Sequence, residues 1–128
     1  MIHLTGVTRL SRSDMECVDQ AIAYLYKNYT ESVSAEQLSV EVALNVKKLQ
    51  AGFRKKTGLT VHHHLLKIRI DHAKDDLMNL QLSVKAITAK NGFKDVSQFG
   101  KIFKKHTGQT PMEYRHELTD YKESPISC

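Results

Sequence analysis

The chain has 128 residues, of which 41% are hydrophobic, and it carries 19 Lys and Arg against 14 Asp and Glu, a formal net charge of +5. This apolar content excludes wholesale disorder, no apolar run approaches the roughly 20 residues of a membrane-spanning helix, and the start lacks the basic and apolar segments of a secretory signal. The length indicates one domain, or two small lobes that share a core. The two cysteines form no disulfide framework, so we expect a reducing cytoplasm. The excess of basic residues permits a polyanion partner.

The first half of the chain is predicted to be helical, because glycine and proline are scarce and apolar residues recur at helical spacing. Residues 13–16 match a capping box that would begin the first helix, and residues 34–37 match a second box before a short helix. Asn45 is the candidate N-cap of a third helix. That helix should end at Gly58, because glycine favours the left-handed stop.

A longer helix is predicted to begin after Thr60 and to reach about Asn79. Its apolar residues form two stripes, one of Leu66, Ile70, Ala73, Leu77 and Leu80 and the other of Val61, Leu65 and Ile68. Two stripes indicate a helix enclosed on two sides, as a strut between packed bodies would be. The histidines at residues 62–64 diverge by 100° per residue and cannot share a tetrahedral ion, so we expect a solvated helix start and no metal site.

Three further helices are predicted in the second half. Ser83 should open a short helix, and Asp95 should cap the next one, which stops at Gly108. Residues 110–113 combine a cap, a proline at the first helical position and a third capping box, which predicts a final helix. The polar tail beyond Glu117 is expected to fray.

The middle of the chain repeats itself. At an offset of 49 the matching residues are Ser34, Leu38, Ala43 and Leu44 against Ser83, Ile87, Gly92 and Phe93, and at an offset of 50 they include Asn45, Leu49, Phe53, Thr57 and Gly58 against Asp95, Phe99, Phe103, Thr107 and Gly108. Each copy has a short helix, a tight turn, a longer helix and a Thr-Gly stop, which is the helix-turn-helix layout whose second helix enters the DNA major groove. The alternative is a helical repeat that packs only on its neighbours.

The outer faces of the two longer helices are polar and basic. Residues 45–56 carry five basic residues and no acid. At 100° per residue, the side opposite the core is formed by Lys47, Gln50, Ala51 and Arg54 in the first copy and by Ser97, Gly100, Lys101 and Lys104 in the second. A solvated basic face is the alternative, but its presence at equivalent places in both copies favours contact with nucleic acid.

At these residues the sequence resembles the DNA-binding domain of the AraC/XylS family of bacterial transcription regulators. The strongest match is formed by Gly92-Phe93, Phe99, Phe103-Lys104-Lys105, Gly108, Thr110-Pro111 and Tyr114-Arg115, and a looser one by Leu38, Leu49, Phe53-Arg54-Lys55-Lys56, Thr57-Gly58, Arg69 and Ala73. The resemblance covers the chain from about Asp14 to Arg115. It implies an all-α fold of about seven helices, in which a long central helix joins two homeodomain-like helix-turn-helix lobes.

The resemblance also implies a domain plan. Residues 1–13 would form a flexible arm, or the end of a preceding segment, before a DNA-binding domain at 14–117, and a flexible tail would occupy 118–128. The domain would contain a first lobe at 14–58, a connector helix at 60–79 and a second lobe at 83–117. At 1.5 Å per residue the connector would be about 30 Å long, close to the roughly 34 Å between successive major grooves, so that one molecule could reach both.

Site residues follow from the same match. Bases would be contacted by Val46, Lys47, Gln50 and Ala51 in one groove and by Val96, Ser97, Gly100 and Lys101 in the next. Phosphates would be contacted by Arg54, Lys55, Lys104 and Lys105. The chain departs from the family pattern at Ala51, where arginine is frequent, at Ala43, where glycine is usual, at Thr88, where a small residue is usual, and at Gly100, which leaves a gap.

The function implied by the resemblance is that of a cytoplasmic regulator of transcription that binds double-stranded DNA, more often an activator that touches RNA polymerase. No nucleophile elbow, phosphate loop or metalloprotease motif is present, so we expect no catalytic residue, no enzymatic activity and no cofactor. The family usually adds an effector-binding or dimerisation domain, and about 33 residues before the first helix-turn-helix are too few for one. The chain would either work alone or derive from a longer regulator. The competing class is a basic helical module for protein interaction or RNA binding without specific DNA recognition.

Overall fold

The computed structural model describes residues 9–123, with side chains described for residues 9–119, and within this part the backbone forms seven α-helices and no strand. The helices are α1 (Arg12–Asn28), α2 (Ala35–Glu41), α3 (Val46–Thr57), α4 (Val61–Leu77), α5 (Val84–Lys90), α6 (Val96–Thr107) and α7 (Pro111–Glu123). The predicted all-α class is confirmed. Of the predicted arm and tail, residues 1–8 and 124–128 lie outside the described part.

The chain divides into two compact units, residues 1–65 and 66–128, and the boundary between them lies inside α4. The units match helix by helix. The helices α1 and α4 each have 17 residues, α2 and α5 each have 7, and α3 and α6 each have 12. The repeat therefore begins one helix earlier than the sequence indicated, because α4 is both the predicted connector and the counterpart of α1.

Side-chain caps begin most helices where the sequence predicted them. Ser34, Asn45, Ser83 and Asp95 cap α2, α3, α5 and α6. Thr110 and Glu113 exchange side-chain and backbone hydrogen bonds of 2.8 and 3.1 Å, which is the capping box predicted for α7. The left-handed stops are also confirmed, since φ is 77° at Gly58 and 84° at Gly108.

The start of α1 differs from its prediction. Its N-cap is Ser11 and not Ser13, because the Ser11 hydroxyl accepts the Asp14 N–H at 3.0 Å and the Asp14 carboxylate accepts the Ser11 N–H at 2.9 Å. A capping box usually has Glu or Gln at the third helical position, but the shorter Asp14 side chain also reaches the backbone N–H of the cap here. The capping box at residues 13–16 is therefore wrong by two positions.

Two helix ends also differ. The helix α4 ends at Leu77 and not near Asn79, which leaves Leu80 61% exposed instead of inside the predicted apolar stripe. The helix α7 continues to Glu123, beyond the point at which the tail was expected to fray.

The core of the first unit lies between α1, α2 and α3. Fully buried side chains are supplied by Val18, Ala21 and Leu25 from α1, Leu38 from α2, and Leu49 and Phe53 from α3. Gly52 of α3 faces Val18 so closely that an added Cβ would lie 2.4 Å from the valine Cγ2. The absence of a side chain at this position permits α1 and α3 to approach.

The core of the second unit is rich in phenylalanine. It consists of Ile70, Ala73, Leu77, Ile87, Phe93, Phe99 and Phe103. The ring centroid of Phe99 lies 4.9 Å from that of Phe93 and 5.6 Å from that of Phe103. The rings of Phe103 and Tyr114 meet edge to face, with their centroids 5.4 Å apart. Aromatic pairs of this kind stabilise a core by about 0.5–1.5 kcal/mol each beyond the area that they bury.

Candidate nucleic-acid interface

Equivalent turns precede α3 and α6. In the first unit the N–H of Ala43 donates to the carbonyl of Val40 at 3.2 Å, and in the second the N–H of Gly92 donates to the carbonyl of Ala89 at 3.3 Å. Both turn residues are left-handed, with φ of 54° at Ala43 and 83° at Gly92. Alanine in this region costs roughly 1–2 kcal/mol that glycine does not. The first turn therefore keeps its geometry at the expense of backbone strain.

Equivalent stops follow α3 and α6. The hydroxyl of Thr57 donates to the carbonyl of Phe53 at 2.7 Å and accepts the N–H of Leu59 at 3.1 Å. The hydroxyl of Thr107 makes the same pair of bonds, 2.8 Å to the carbonyl of Phe103 and 3.2 Å from the N–H of Gln109. The threonine of the Thr-Gly motif thus satisfies one carbonyl at the helix end and one amide of the following loop.

One flank of α3 is neutralised by α1. The ammonium of Lys48 lies 3.3 Å from the carboxylate of Asp14, and that of Lys56 lies 2.7 Å from the carboxylate of Asp19. The pKa of Asp14 is held below its usual range, mainly by the hydrogen bond from the Ser11 N–H and further by Lys48. Two of the five basic residues of α3 are therefore paired within the unit.

The outward face of α3 carries the remaining cations. Lys47, Arg54 and Lys55 are exposed, and within the described side chains no carboxylate pairs with them. Val46 and Ala51, the other outward residues predicted to meet bases, are half-buried.

Gln50 lies on the flank of α3 that faces α4. Its side chain is half-buried, and its Oε1 accepts the backbone N–H of Val61 at 3.1 Å. This predicted base-contacting residue therefore already has a partner within the unit.

The outward face of α6 is more open. Val96 is 45% exposed, and Ser97 and Lys101 are also exposed. A Cβ added at Gly100 would have no atom within 4 Å. Gly100 therefore leaves open space in the middle of this face.

Lys104 and Lys105 extend the face of α6 toward its C-terminal end. Both are exposed, and the part of the chain described shows no ion pair for either. The pKa of Glu113 is lowered, chiefly by the hydrogen bond from the Thr110 N–H and to a smaller extent by the charge of Lys104. Since no described carboxylate pairs with a lysine of α6 as Asp14 and Asp19 do on α3, these lysines remain available to an outside anion.

Two sets of side-chain hydrogen bonds that support the second unit could not be predicted from the sequence. The guanidinium of Arg115 donates to the carbonyls of Leu77 and Asn79 at 3.0 and 3.2 Å, which ties α7 to the end of α4. Asp76 accepts from Lys90 at 2.8 Å and from the buried Asn91 at 2.9 Å, which ties α4 to the end of α5. Burial raises the pKa of Asp76, but these two partners outweigh it and the net shift is downward. Arg115 was visible in the sequence only as part of the family match.

The three consecutive histidines do not share one environment. His62 and His63 are exposed, whereas His64 is buried with its ring 5.8 Å from that of Tyr26 and 5.6 Å from that of Phe53. The prediction of a solvated helix start is therefore wrong for His64, because the helix turns this position into the core. Among the described residues no group of three His, Cys, Asp or Glu side chains could hold a metal ion.

Solved structures share this arrangement of helices. The DNA-binding domain of AdpA, a global transcriptional factor solved in complex with a target DNA, matches with a TM-score of 0.77 over 84% of this chain and 96% of that one, at 20% identity. The C-terminal domain of AraT, a response regulator of Geobacillus stearothermophilus, matches with a TM-score of 0.75 over 86% and 88% of the two chains, at 25% identity. The fold is therefore that of a double helix-turn-helix domain.

A family model described as a helix-turn-helix domain matches residues 38–117, which is more than half of the chain. The chain belongs to the AraC/XylS family of transcription regulators. In this family member α2–α3 and α5–α6 form the two helix-turn-helix pairs, and α3 and α6 occupy the position of the recognition helix in each pair. The resemblance predicted from the sequence is thereby confirmed.

Curated relatives of this AraC/XylS member are longer proteins. An uncharacterized HTH-type transcriptional regulator of Staphylococcus aureus (strain COL) is 33% identical over 100% of this chain, which corresponds to 18% of the relative. The HTH-type transcriptional activator RhaR of Enterobacter sp. (strain 638) is 31% identical over 77% of this chain and 35% of its own length. The chain thus spans about a fifth to a third of these relatives. In the described part, none of its helices is long and apolar enough to cross a bilayer.

Proposed function

We propose that this chain binds double-stranded DNA sequence-specifically and regulates transcription, with α3 and α6 entering adjacent major grooves. The observation that carries this proposal is a pair of exposed cations at the same place on both recognition helices. Arg54 and Lys55 on α3 correspond to Lys104 and Lys105 on α6, at an offset of 50 residues. A cationic pair repeated at the end of each recognition helix suits two phosphate backbones.

The contacts to bases come from the outward faces of the same helices. We assign Val46, Lys47 and Ala51 to one groove and Val96, Ser97, Gly100 and Lys101 to the next. Lysine can donate to guanine, and the methyl groups of valine and alanine can touch a thymine methyl. The open space at Gly100 would admit a base edge or the sugar-phosphate backbone.

The regulatory role is that of an activator acting in the bacterial cytoplasm without enzymatic activity or a cofactor. Support comes from the named activator RhaR among the relatives. Contact with RNA polymerase, and control by an effector-binding or dimerisation domain, belong to the same proposal. Since the relatives are longer than this chain, such a domain would correspond to a part of them that the chain does not match.

The deciding experiment selects bound duplexes from a random DNA pool and measures the affinity of the selected sequence against salt. Four phosphate-contacting side chains predict a log–log slope of about −3.6, at about −0.9 per phosphate. Selection should return a two-part site with halves about 10 base pairs apart, one helical turn. A flat salt dependence, or no enriched sequence, would instead favour the RNA-binding or protein-interaction module.

A further inference from the structure

The first N–H of α4 has a partner from another helix. It belongs to Val61 and donates to Oε1 of Gln50 at 3.1 Å, across 11 residues of sequence. A helix leaves its first four N–H groups without intrahelical acceptors. The hydroxyl of the N-cap Thr60 accepts the N–H of His63 at 3.2 Å and pairs with the Nδ1 of the same residue at 3.1 Å. Gln50 therefore satisfies a donor that the N-cap does not reach.

In the second unit the corresponding helix, α7, has no N–H at its first position. Fifty residues after Gln50 and Val61 stand Gly100 and Pro111. Proline has no N–H, so the first position of α7 needs no acceptor, and Gly100 supplies none. The N-cap Thr110 again serves the third position, accepting the N–H of Glu113 at 3.1 Å. The first unit thus has an acceptor, Gln50, where the first residue of α4 has an N–H, and the second unit has neither the acceptor nor the N–H.

On the basis of the function proposed above, we infer that Gln50 is a positioning residue that holds the recognition helix α3 against the start of α4 and does not read a base. A glutamine reads adenine with both its amide oxygen and its amide nitrogen. Here the oxygen is bound to the N–H of Val61 and the side chain is half-buried. Base reading in the first groove then rests on the exposed Lys47, with Ala51 beside it.

A double-mutant cycle tests the contact. Gln50→Met removes the acceptor while keeping the chain length, and Val61→Pro removes the donor, as Pro111 does in the second unit. Gln50→Met alone should lower Tm by about 2–8 °C, and by no more than about 1 °C in the Val61→Pro background. Equal shifts in both backgrounds would overturn the inference.

The DNA readout separates positioning from base reading. Gln50→Met should weaken binding to all duplexes alike and leave the selected sequence unchanged. A base reader would instead lose about 5–150-fold of preference at one or two base pairs, and that result would also overturn the inference. Lys47→Ala is the matched control, because it should change the selected sequence.

A second variant covers the case in which Val61→Pro does not fold. Gln50→Glu keeps an oxygen for the Val61 N–H but lacks the amide donor that adenine requires. It should retain the wild-type Tm within about 2 °C and the wild-type selected sequence, with weaker binding overall from the added negative charge. A lost preference would contradict positioning. If the wild-type chain bound no duplex, the proposed function would fail, while the Tm cycle would still decide whether Gln50 caps α4.

Discussion

Gly52 and Gly100 lie in the interiors of the two recognition helices, and their replacement by alanine should have opposite effects on stability. At Gly52 an added Cβ would lie 2.4 Å from the Cγ2 of Val18, whereas at Gly100 it would meet no atom within 4 Å. Carbon atoms in contact are normally about 3.5–4.0 Å apart, so α1 and α3 would have to separate by about 1 Å. Val18 cannot turn away easily, because it is fully buried and β-branched side chains keep one rotamer in helices.

The magnitudes follow from two opposing terms. Overpacking a core costs about 1–3 kcal/mol, while alanine in a helix interior regains about 0.5–1 kcal/mol over glycine. Gly52→Ala should therefore destabilise the chain by up to about 2.5 kcal/mol. Gly100→Ala causes no overpacking and gains only the helix preference of alanine, so it should stabilise the chain by about 0.5–1 kcal/mol.

Urea denaturation followed by circular dichroism measures both variants against the wild type, and amide hydrogen exchange in α3 and α6 assigns each change to its unit. Val18→Ala removes the methyl group that an alanine at 52 would meet. Gly52→Ala should therefore cost less in that background than in the wild type. Equal stabilisation by both glycine replacements would refute the close approach of α1 and α3.

Three further outcomes are expected. Lys104→Ala should weaken binding to every duplex alike and lower the salt slope by about 0.9; loss of preference at a single base pair would make Lys104 a base reader. Ala43→Gly should stabilise the first turn by up to about 1 kcal/mol, and Gly92→Ala should cost about 1–2 kcal/mol, both measured by urea denaturation; the reverse order would contradict the left-handed geometry. The pKa of Asp76 is lower in the folded chain than its unfolded value of 3.8. The ionised Asp76 therefore stabilises the fold above that pH, and this stabilisation is lost as the pH falls through the pKa of the folded chain. Asp76→Asn should then make stability less sensitive to pH below about 4, and an unchanged acid profile would show that its partners contribute nothing.

Much of the local structure was predictable from neighbouring residues. The caps at Ser34, Asn45 and Asp95 were identified correctly, because each cap side chain accepts a backbone N–H that lies only three residues later in sequence. The misplaced start at Ser13 failed within the same local rule, since Asp14 could complete a capping box with Ser11 instead.

The candidate site was only partly predictable. The helical wheel correctly turned Lys47 and Arg54 outward, because Leu49 and Phe53 had to face the core. Their availability could not be deduced, because it depends on which lysines of α3 meet carboxylates of α1. The wheel placed Gln50 on the outward side too, and only the packing of α4 supplied it with a partner.

The amino-acid sequence by itself determined the helices, the two copies, the Thr-Gly stops and the resemblance to the family, because each depends on side chains a few residues apart or on direct repetition. Tertiary structure alone decided that Gly52 admits Val18, that Lys48 and Lys56 pair with α1, that Gln50 caps α4, and that His64 is buried. Each of these contacts joins residues on different helices, so it exists only after the helices have packed, and their packing depends on many side chains at once.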